Sequence, residues 1–307
     1  MRVLVTGGAG FIGSHLVDAL LEAGHEVAVV DDLSSGRQAN LSGEAWLHTL
    51  DVRDPALVEL AVAWRPEVIC HLAAQISVRA SVADPMRDAR VNVEGTIQVL
   101  TAAQRGGTRK VVFASSVAVY GRPPVIPVPG DAPTDPRSPY AASKLSGETY
   151  LAAFKALHGI DHTSLVLSNV YGPRQSPDGE AGVVAIFTDA LLSGAPTLLY
   201  GDGDQTRDYV YVKDVVDGFV RACGEAGGGG RFNLGTGIQT TDRHLHTLVA
   251  AAAGAPDRPG FAPPRPGDLP AMAVDPLPAF EGLGWQPRTD LTTGLKETVE
   301  WARSRRR

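Results

Sequence analysis

Cysteine is almost missing. Cys70 and Cys223 are the two thiols of a 307-residue chain, too few for a disulfide framework, which points to a reducing compartment. Lysine is scarce as well: Lys110, Lys144, Lys155, Lys213 and Lys296 stand among basic residues that are otherwise arginine. No apolar run approaches the roughly 18 residues of a membrane-spanning helix. A basic excess is lacking too, since the net charge is −6, which argues against a nucleic-acid partner. The N-terminus shows no signal-peptide pattern, because Arg2 runs straight into a strand-like stretch. A cytoplasmic chain with no membrane partner is therefore expected. Nothing repeats internally, and no spacing of His, Cys and carboxylates suggests a metal site. Cys70 and His71 are neighbours inside an apolar run and read as a core thiol and a satisfied imidazole.

Hydrophobic residues make up 44% of the chain, enough for one large α/β domain or two unequal lobes. The most informative stretch comes first. Arg2 to Thr6 reads as a buried strand, Gly7-Gly8-Ala9-Gly10-Phe11-Ile12-Gly13 follows at once, and helical spacing then runs to Gly24. A strand, a glycine turn and a helix in that order form an anion cradle. Without Cβ atoms the backbone can approach a pyrophosphate, and the helix aims its unpaired N–H groups at it. The second strand, Glu26 to Asp31, ends on a carboxylate placed to accept the hydroxyls of an adenosine ribose, which favours NAD over NADP. Arg37 is near enough in sequence to hold a 2′-phosphate instead, so that alternative stays open here.

Strands and helices go on alternating. Trp46 to Leu50 reads as a third strand, followed by Asp51-Val52, where a carboxylate could meet the adenine amino group. A helix is expected over Pro55 to Trp64, with Asp54 as its cap. Val68 to Leu72 is a fourth strand, and Ala73-Ala74 behind it are small enough to let a cofactor pass. A long helix is expected from Asp84-Pro85 to about Arg105, with Asn92 inside it, and Val111 to Ala114 is a fully apolar fifth strand. This order predicts a doubly wound parallel sheet with ligands beyond the carboxyl ends of its strands.

The second half is less regular. A proline-rich loop spans 123–139. Strands are expected at 161–167, 197–200, near 209–212 and at 231–234. Helices are expected at 182–193, 213–224, 242–253 and 291–303. Residues 256–270 read as a linker-like arm, Gly227 to Gly230 as a flexible surface loop, and the arginines at the C-terminus as a solvated tail. A cofactor lobe over 1–165 and a smaller lobe over 166–307, with some segments returning to the first, is the expected organisation.

The fifth strand leads into Ser115-Ser116, and Tyr140-Ala141-Ala142-Ser143-Lys144 opens a later helix behind Ser138-Pro139. Tyr140 and Lys144 then share one helix face. A phenol titrates near ~10, so a neighbouring ammonium and a positive nicotinamide ring are expected to lower its value and make it a base. Ser116 could hydrogen-bond the same substrate oxygen.

On these motifs the chain resembles the extended short-chain dehydrogenases/reductases, and among them the UDP-glucose (UDP-galactose) 4-epimerases. Further matches are Asp31-Asp32-Leu33, Asn92-Val93-Glu94-Gly95-Thr96, Asn169-Val170-Tyr171-Gly172-Pro173-Arg174, Arg207-Asp208-Tyr209-Val210, Phe232-Asn233-Leu234-Gly235 and Arg265-Pro266-Gly267-Asp268-Leu269. The resemblance implies a Rossmann-type fold with a smaller C-terminal substrate lobe. It implies NAD bound by Gly7, Gly10, Phe11, Ile12, Gly13, Asp31, Asp32, Ser35, Gly36, Asp51, Val52, Leu72, Ala73, Ala74, Asn92, Ser115, Tyr140 and Lys144. It implies Ser116, Tyr140 and Lys144 as the catalytic set. Ser116, Tyr140, Asn169, Val183, Arg207, Arg265 and Asp268 would hold a UDP-sugar. The implied reaction removes hydride from C4, turns over a transient 4-keto sugar and returns hydride to its opposite face, in a homodimer paired through helices near 85–105 and 139–155.

Departures narrow the reaction. Related 4,6-dehydratases carry Asp-Glu directly after the catalytic hydroxyl, where this chain has Val117-Ala118. Ser176 stands where glucuronate epimerases tend to place arginine, which favours a neutral hexose. Met272 replaces a frequent tyrosine, which suggests room for an N-acetyl group at C2. Ser168 replaces a usual phenylalanine. UDP-glucose/UDP-galactose leads this reading. UDP-GlcNAc or UDP-glucuronate epimerisation, dehydratase or decarboxylase chemistry, and a non-catalytic NAD-binding protein are its alternatives.

Overall fold

Alternate residues of the first strand, β1 (Arg2–Thr6), point to opposite faces, and both faces are apolar. Val3 and Val5 join one core with Leu16, Val17 and Leu20, while Leu4 joins a second with Leu57, Ala61 and Ile69. A sheet greasy on both sides must be covered on both sides, and helices do this. Each fully buried Val or Leu contributes about 1.5–3 kcal/mol. The computed structural model describes residues 1–178, 182–265 and 269–306.

From β1 the chain passes through α1 (Phe11–Glu22) to β2 (Glu26–Asp31) and β3 (Trp46–Thr49). It returns through α2 (Ala56–Trp64) to β4 (Val68–His71) on the other side of β1. Two short helices follow, α3 (Val78–Ala83) and α4 (Pro85–Ala89), then a π-helical turn at Arg90–Glu94 and α5 (Gly95–Gly106). Next come β5 (Lys110–Ser116), α6 (Pro139–His158) and β6 (Asp161–Leu167). The second half contributes β7 (Asn169–Tyr171), α7 (Val183–Ser193), β8 (Leu198–Tyr200), β9 (Thr206–Arg207), β10 (Tyr209–Tyr211), α8 (Val212–Ala222) and β11 (Gly230–Leu234). β12 (Thr240–Thr241), α9 (Asp242–Ala253), β13 (Gly260–Ala262), α10 (Leu277–Leu283) and α11 (Leu291–Ser304) complete it.

Seven parallel strands form the main sheet in the order β11-β6-β5-β4-β1-β2-β3. The order reverses between β1 and β4, which opens a crevice at their carboxyl ends. This is the doubly wound sheet that the alternation predicts. β11 pairs with β6 through Phe232↔Leu165 and Leu234↔Leu167, so a late segment of the chain extends the main sheet. The small sheets pair β7 with β10, β9 with β12 and β8 with β13.

Several expectations need correction. Asp54 accepts the Ala56 N–H at 2.9 Å as a cap, but the helix starts at Ala56 with Pro55 ahead of it. The helix expected from residue 84 is interrupted by its π turn, and α3 precedes it, capped by Ser77. The arm at 256–270 carries β13, too short to show a periodic signal, and its ladder to β8 holds it in place. Gly227 to Gly230 is no free loop: buried Lys110 donates to Gly224 O at 3.0 Å and Ala226 O at 2.6 Å, and Gly229 N–H donates to His162 O. In the arginine tail, Arg303 donates to Ala253 O and Arg306 pairs with Asp189.

Candidate active site

The carboxyl ends of β1, β2, β4, β5 and β6 surround one cavity of about 750 Å3. At the start of α1 its floor is backbone. Gly7 sits at φ +71°, and a Cβ on it would lie 2.6 Å from Ala73 N. A Cβ on Gly13 would collide with Gly7 O. This close approach leaves room for a ligand against the first-turn N–H groups of α1 and no room for side chains. Asp31, 6% exposed, borders the cavity and accepts N–H bonds from Ala9 and Leu33, both at 2.9 Å. Burial pushes its carboxyl up from the ordinary range, partly offset by those donors. Asp32 binds Ser34 instead, and Asp51 is held low by the hydrogen bond from Arg53. Arg37 is not part of the wall, whereas Asp31 is.

Farther in, α6 leans on the end of β5. Ser138 caps α6 by accepting the Ala141 N–H at 3.1 Å, and Pro139 occupies its first turn. Ser116 beside Tyr140 favours the phenolate, yet desolvation dominates and pushes the phenol up to about 12, with Asp88 adding to the rise. Lys144, 4% exposed, donates to Ala114 O at 2.9 Å and lies 6.0 Å from the Tyr140 ring centroid. Burial pulls it down to about 8 against the attraction of Asp88 and Glu148. The expected lowering of the phenol is thus not met in the protein alone, where burial dominates. A further positive charge in the cavity is what the phenolate needs.

Of the residues assigned to cofactor and substrate, Gly7, Gly10, Phe11, Ile12, Gly13, Asp31, Asp32, Ser35, Asp51, Val52, Leu72, Ala73, Ala74, Ser115, Ser116, Tyr140, Lys144, Asn169 and Arg207 line this cavity. Others stand back from it. Gly36 lies behind Asp31, where a Cβ would meet the carboxylate at 2.7 Å. Asn92, inside the π turn, accepts from Gln75 N–H at 2.8 Å and donates to Gln75 O at 2.9 Å, so it braces the exit of β4. Val183 opens α7 and packs on the core. Arg265 stacks on Tyr200, 3.5 Å from its ring centroid. Asp268 lies outside the described residues. Ser176 bonds Asp178 and is not in the wall, whereas Gln175 is.

Sequence reading missed Gln75, Ile76, Ser77, Val78, Arg87 and Val91, all of which border the cavity around α3 and α4. Ser77 ahead of a small-residue run was the available signal, since it accepts the Ala80 N–H as a helix cap. Ser168 donates to Asp208 O at 2.8 Å and, with Met272, borders the inner end. Cys70 lies in the core with its sulfur 3.5 Å from that of Cys223. His71 bridges Thr6 at 2.7 Å and Thr96 at 3.0 Å.

A parallel doubly wound sheet with a glycine cradle, a strand-end carboxylate and half-buried Ser116 and Tyr140 beside buried Lys144 defines a nicotinamide-dinucleotide enzyme. The donor set fits NAD, whose pyrophosphate would lie on Gly7 to Gly13 and whose ribose would meet Asp31. Residues 3–235 match the NAD dependent epimerase/dehydratase family, and the chain belongs to it. A UDP-glucose 4-epimerase of Mycolicibacterium smegmatis is 55% identical over 99% of both chains. The crystal structure of the Thermotoga maritima UDP-glucose 4-epimerase with UDP-glucose superposes with a TM-score of 0.97, at 44% identity and covering 100% of both chains. That of the Thermus thermophilus UDP-glucose 4-epimerase in complex with NAD gives 0.93, at 43% identity over 99% of both. No described helix is long and apolar enough to cross a membrane.

Proposed function

We propose that this chain is an NAD-dependent isomerase, a nucleotide-sugar 4-epimerase that interconverts UDP-glucose and UDP-galactose through a transient 4-keto hexose. The observation that carries the reading is the meeting of Ser116, Tyr140 and Lys144 in one cavity with the glycine cradle at one end and Asn169 and Arg207 at the other. Bound NAD supplies reversible hydride acceptance. Tyr140 exchanges the proton of the sugar O4 hydroxyl, and Ser116 orients that oxygen. Lys144 keeps positive charge beside the phenol and holds the nicotinamide ribose. Arg207, whose guanidinium is already fixed by Thr206 O at 2.8 Å and Leu269 O at 2.9 Å, grips the diphosphate. A clamped nucleotide and a loosely held hexose allow the keto sugar to turn over.

Val117 and Ala118 also border the cavity and offer no acid or base to C5 and C6, which speaks against elimination. Met272 in the wall favours UDP-GlcNAc/UDP-GalNAc as the second substrate pair. Arg265 and Asp268 join the diphosphate site only if their segment approaches it. The division at residue 165 is functional: residues 1–165 bind the cofactor and 166–307 mainly the sugar nucleotide. The active form is a homodimer in which α5 and α6 pair with their copies. Ala142, Ala152, Ala153 and Ala156 leave small side chains exposed on α6, and Met86 on neighbouring α4 is 61% exposed. Feeding the protein UDP-glucose, UDP-GlcNAc and UDP-glucuronate and resolving products by NMR tests the reaction. A pentose or a deoxy-keto sugar in place of the C4 epimer overturns it. Sedimentation tests the dimer.

A further inference from the structure

Three residues of α6 stand four apart and face the end of β5: Tyr140, Lys144 and Glu148. Each meets a different residue there. Tyr140 borders the cavity beside Ser116, Lys144 donates to Ala114 O at 2.9 Å, and Glu148 Oε1 accepts the Ser115 hydroxyl. Glu148 is 8% exposed and is not part of the cavity wall, so it reaches neither cofactor nor sugar directly. Its other oxygen takes the Arg231 Nε–H at 2.7 Å. Arg231 comes from β11, far along the chain, and stacks above the Tyr120 ring at 6.0 Å. The Arg231 guanidinium supplies the counter-charge and the hydrogen bond that a buried carboxylate requires.

We propose that Glu148 is a positioning residue for the proposed reaction: tethered by Arg231, it fixes the strand end that carries Ser115 and Ser116 and sets a carboxylate one helical turn from Lys144. This rests on the reading of Ser116, Tyr140 and Lys144 as the reacting set. Four titratable groups surround the Lys144 ammonium. Asp88 on α4 and Glu148 on α6 both favour its charge. Tyr140 lies on the same helix face. His71 on β4 is held neutral, because burial first and Lys144 second lower its imidazole to about 3. The neighbouring β5 contributes only the Phe113 ring and a carbonyl. Of the two carboxylates, Asp88 is tied to Asn92 and Gln75, and Glu148 is bonded to Arg231 from the second half of the chain.

Glu148→Gln keeps the side-chain size and an oxygen for Ser115, removes the charge and puts an NH2 group where Arg231 Nε–H finds its acceptor. With five lysines in the chain, the Lys144 signal can be followed by NMR titration after assignment with Lys144→Met. In Glu148→Gln, with no sugar present, Lys144 is expected to lose its proton about one pH unit lower. With UDP-glucose, the alkaline limb of kcat moves down by the same amount and kcat falls about tenfold, while KM changes little. Arg231→Gln, a less buried change, takes a cation away and leaves the Glu148 carboxylate in place, so the lysine is expected to move the opposite way and lose its proton at higher pH. An unmoved lysine titration in both variants overturns the proposal even if kcat falls, since that loss would be structural. A shifted lysine in a protein that turns over no sugar nucleotide counts against the epimerase reading and leaves this coupling standing.

Discussion

The two ends of the cavity are built differently. The cofactor end is backbone: Gly7 and Gly13 approach Ala73 and one another so closely that no Cβ fits. The sugar end is side chain and loop, drawn from short strands far apart in the sequence. It hangs on Asp208, which is fully buried and accepts the N–H groups of Thr236 at 2.8 Å, Gly237 at 3.1 Å and Val274 at 3.2 Å. A backbone cradle admits one ligand shape and resists change. A side-chain pocket held by a single carboxylate can be retuned residue by residue. On the proposed roles, cofactor choice is built into the fold and sugar choice is left to the later segments.

That contrast can be broken at its junction first. Tyr140→Phe removes the proton carrier and leaves the cradle intact, so turnover drops about 10³-fold or more while NAD remains bound; unchanged turnover refutes the assigned role. Next, Gly13→Ala acts only at the cofactor end. Its Cβ would also press on Gly8 Cα at 2.8 Å, and dinucleotide affinity measured by calorimetry is expected to fall about a hundredfold, or about 2.7 kcal/mol. Asp208→Ala strikes the other end. It strands buried N–H donors and lowers stability by about 3 kcal/mol in a denaturant titration, and in the surviving folded fraction UDP-sugar binding weakens more than NAD binding. Equal weakening of both would abolish the distinction between the ends.

The smallest effect is a pH slope at the cofactor end. The folded value of His71, about 3, lies below the ordinary imidazole value of 6.5. Its contribution to stability is complete above pH 6.5 and is lost as pH falls toward 3. About 2 kcal/mol would be gone by pH 5, and His71→Gln would flatten this part of the stability profile.

Much of the cofactor end was legible in the sequence because its signals are local. Glycine spacing, a carboxylate at a strand end and a capped helix bearing Tyr140 and Lys144 each occupy a short stretch. Asn92 was located but misjudged, since only the fold shows it behind Gln75 and not against the cavity. The α3 wall was missed because a six-residue helix carries too little periodicity. The late arm was misread for a related reason: a three-residue strand is defined by its partner β8, not by its own composition.

By itself the sequence determined the chain positions of the main-sheet strands, the glycine cradle and the face shared by Tyr140 and Lys144, because periodicity and turn chemistry act between near neighbours. Only the tertiary structure decided that Asn169 and Arg207 meet Ser116 in one cavity, that Cys70 touches Cys223, and that Arg231 holds Glu148 behind the reacting lysine. These contacts join residues far apart along the chain. They arise from β11 crossing back beside β6 and from loops folding over the strand ends, and neither leaves a local mark in the sequence.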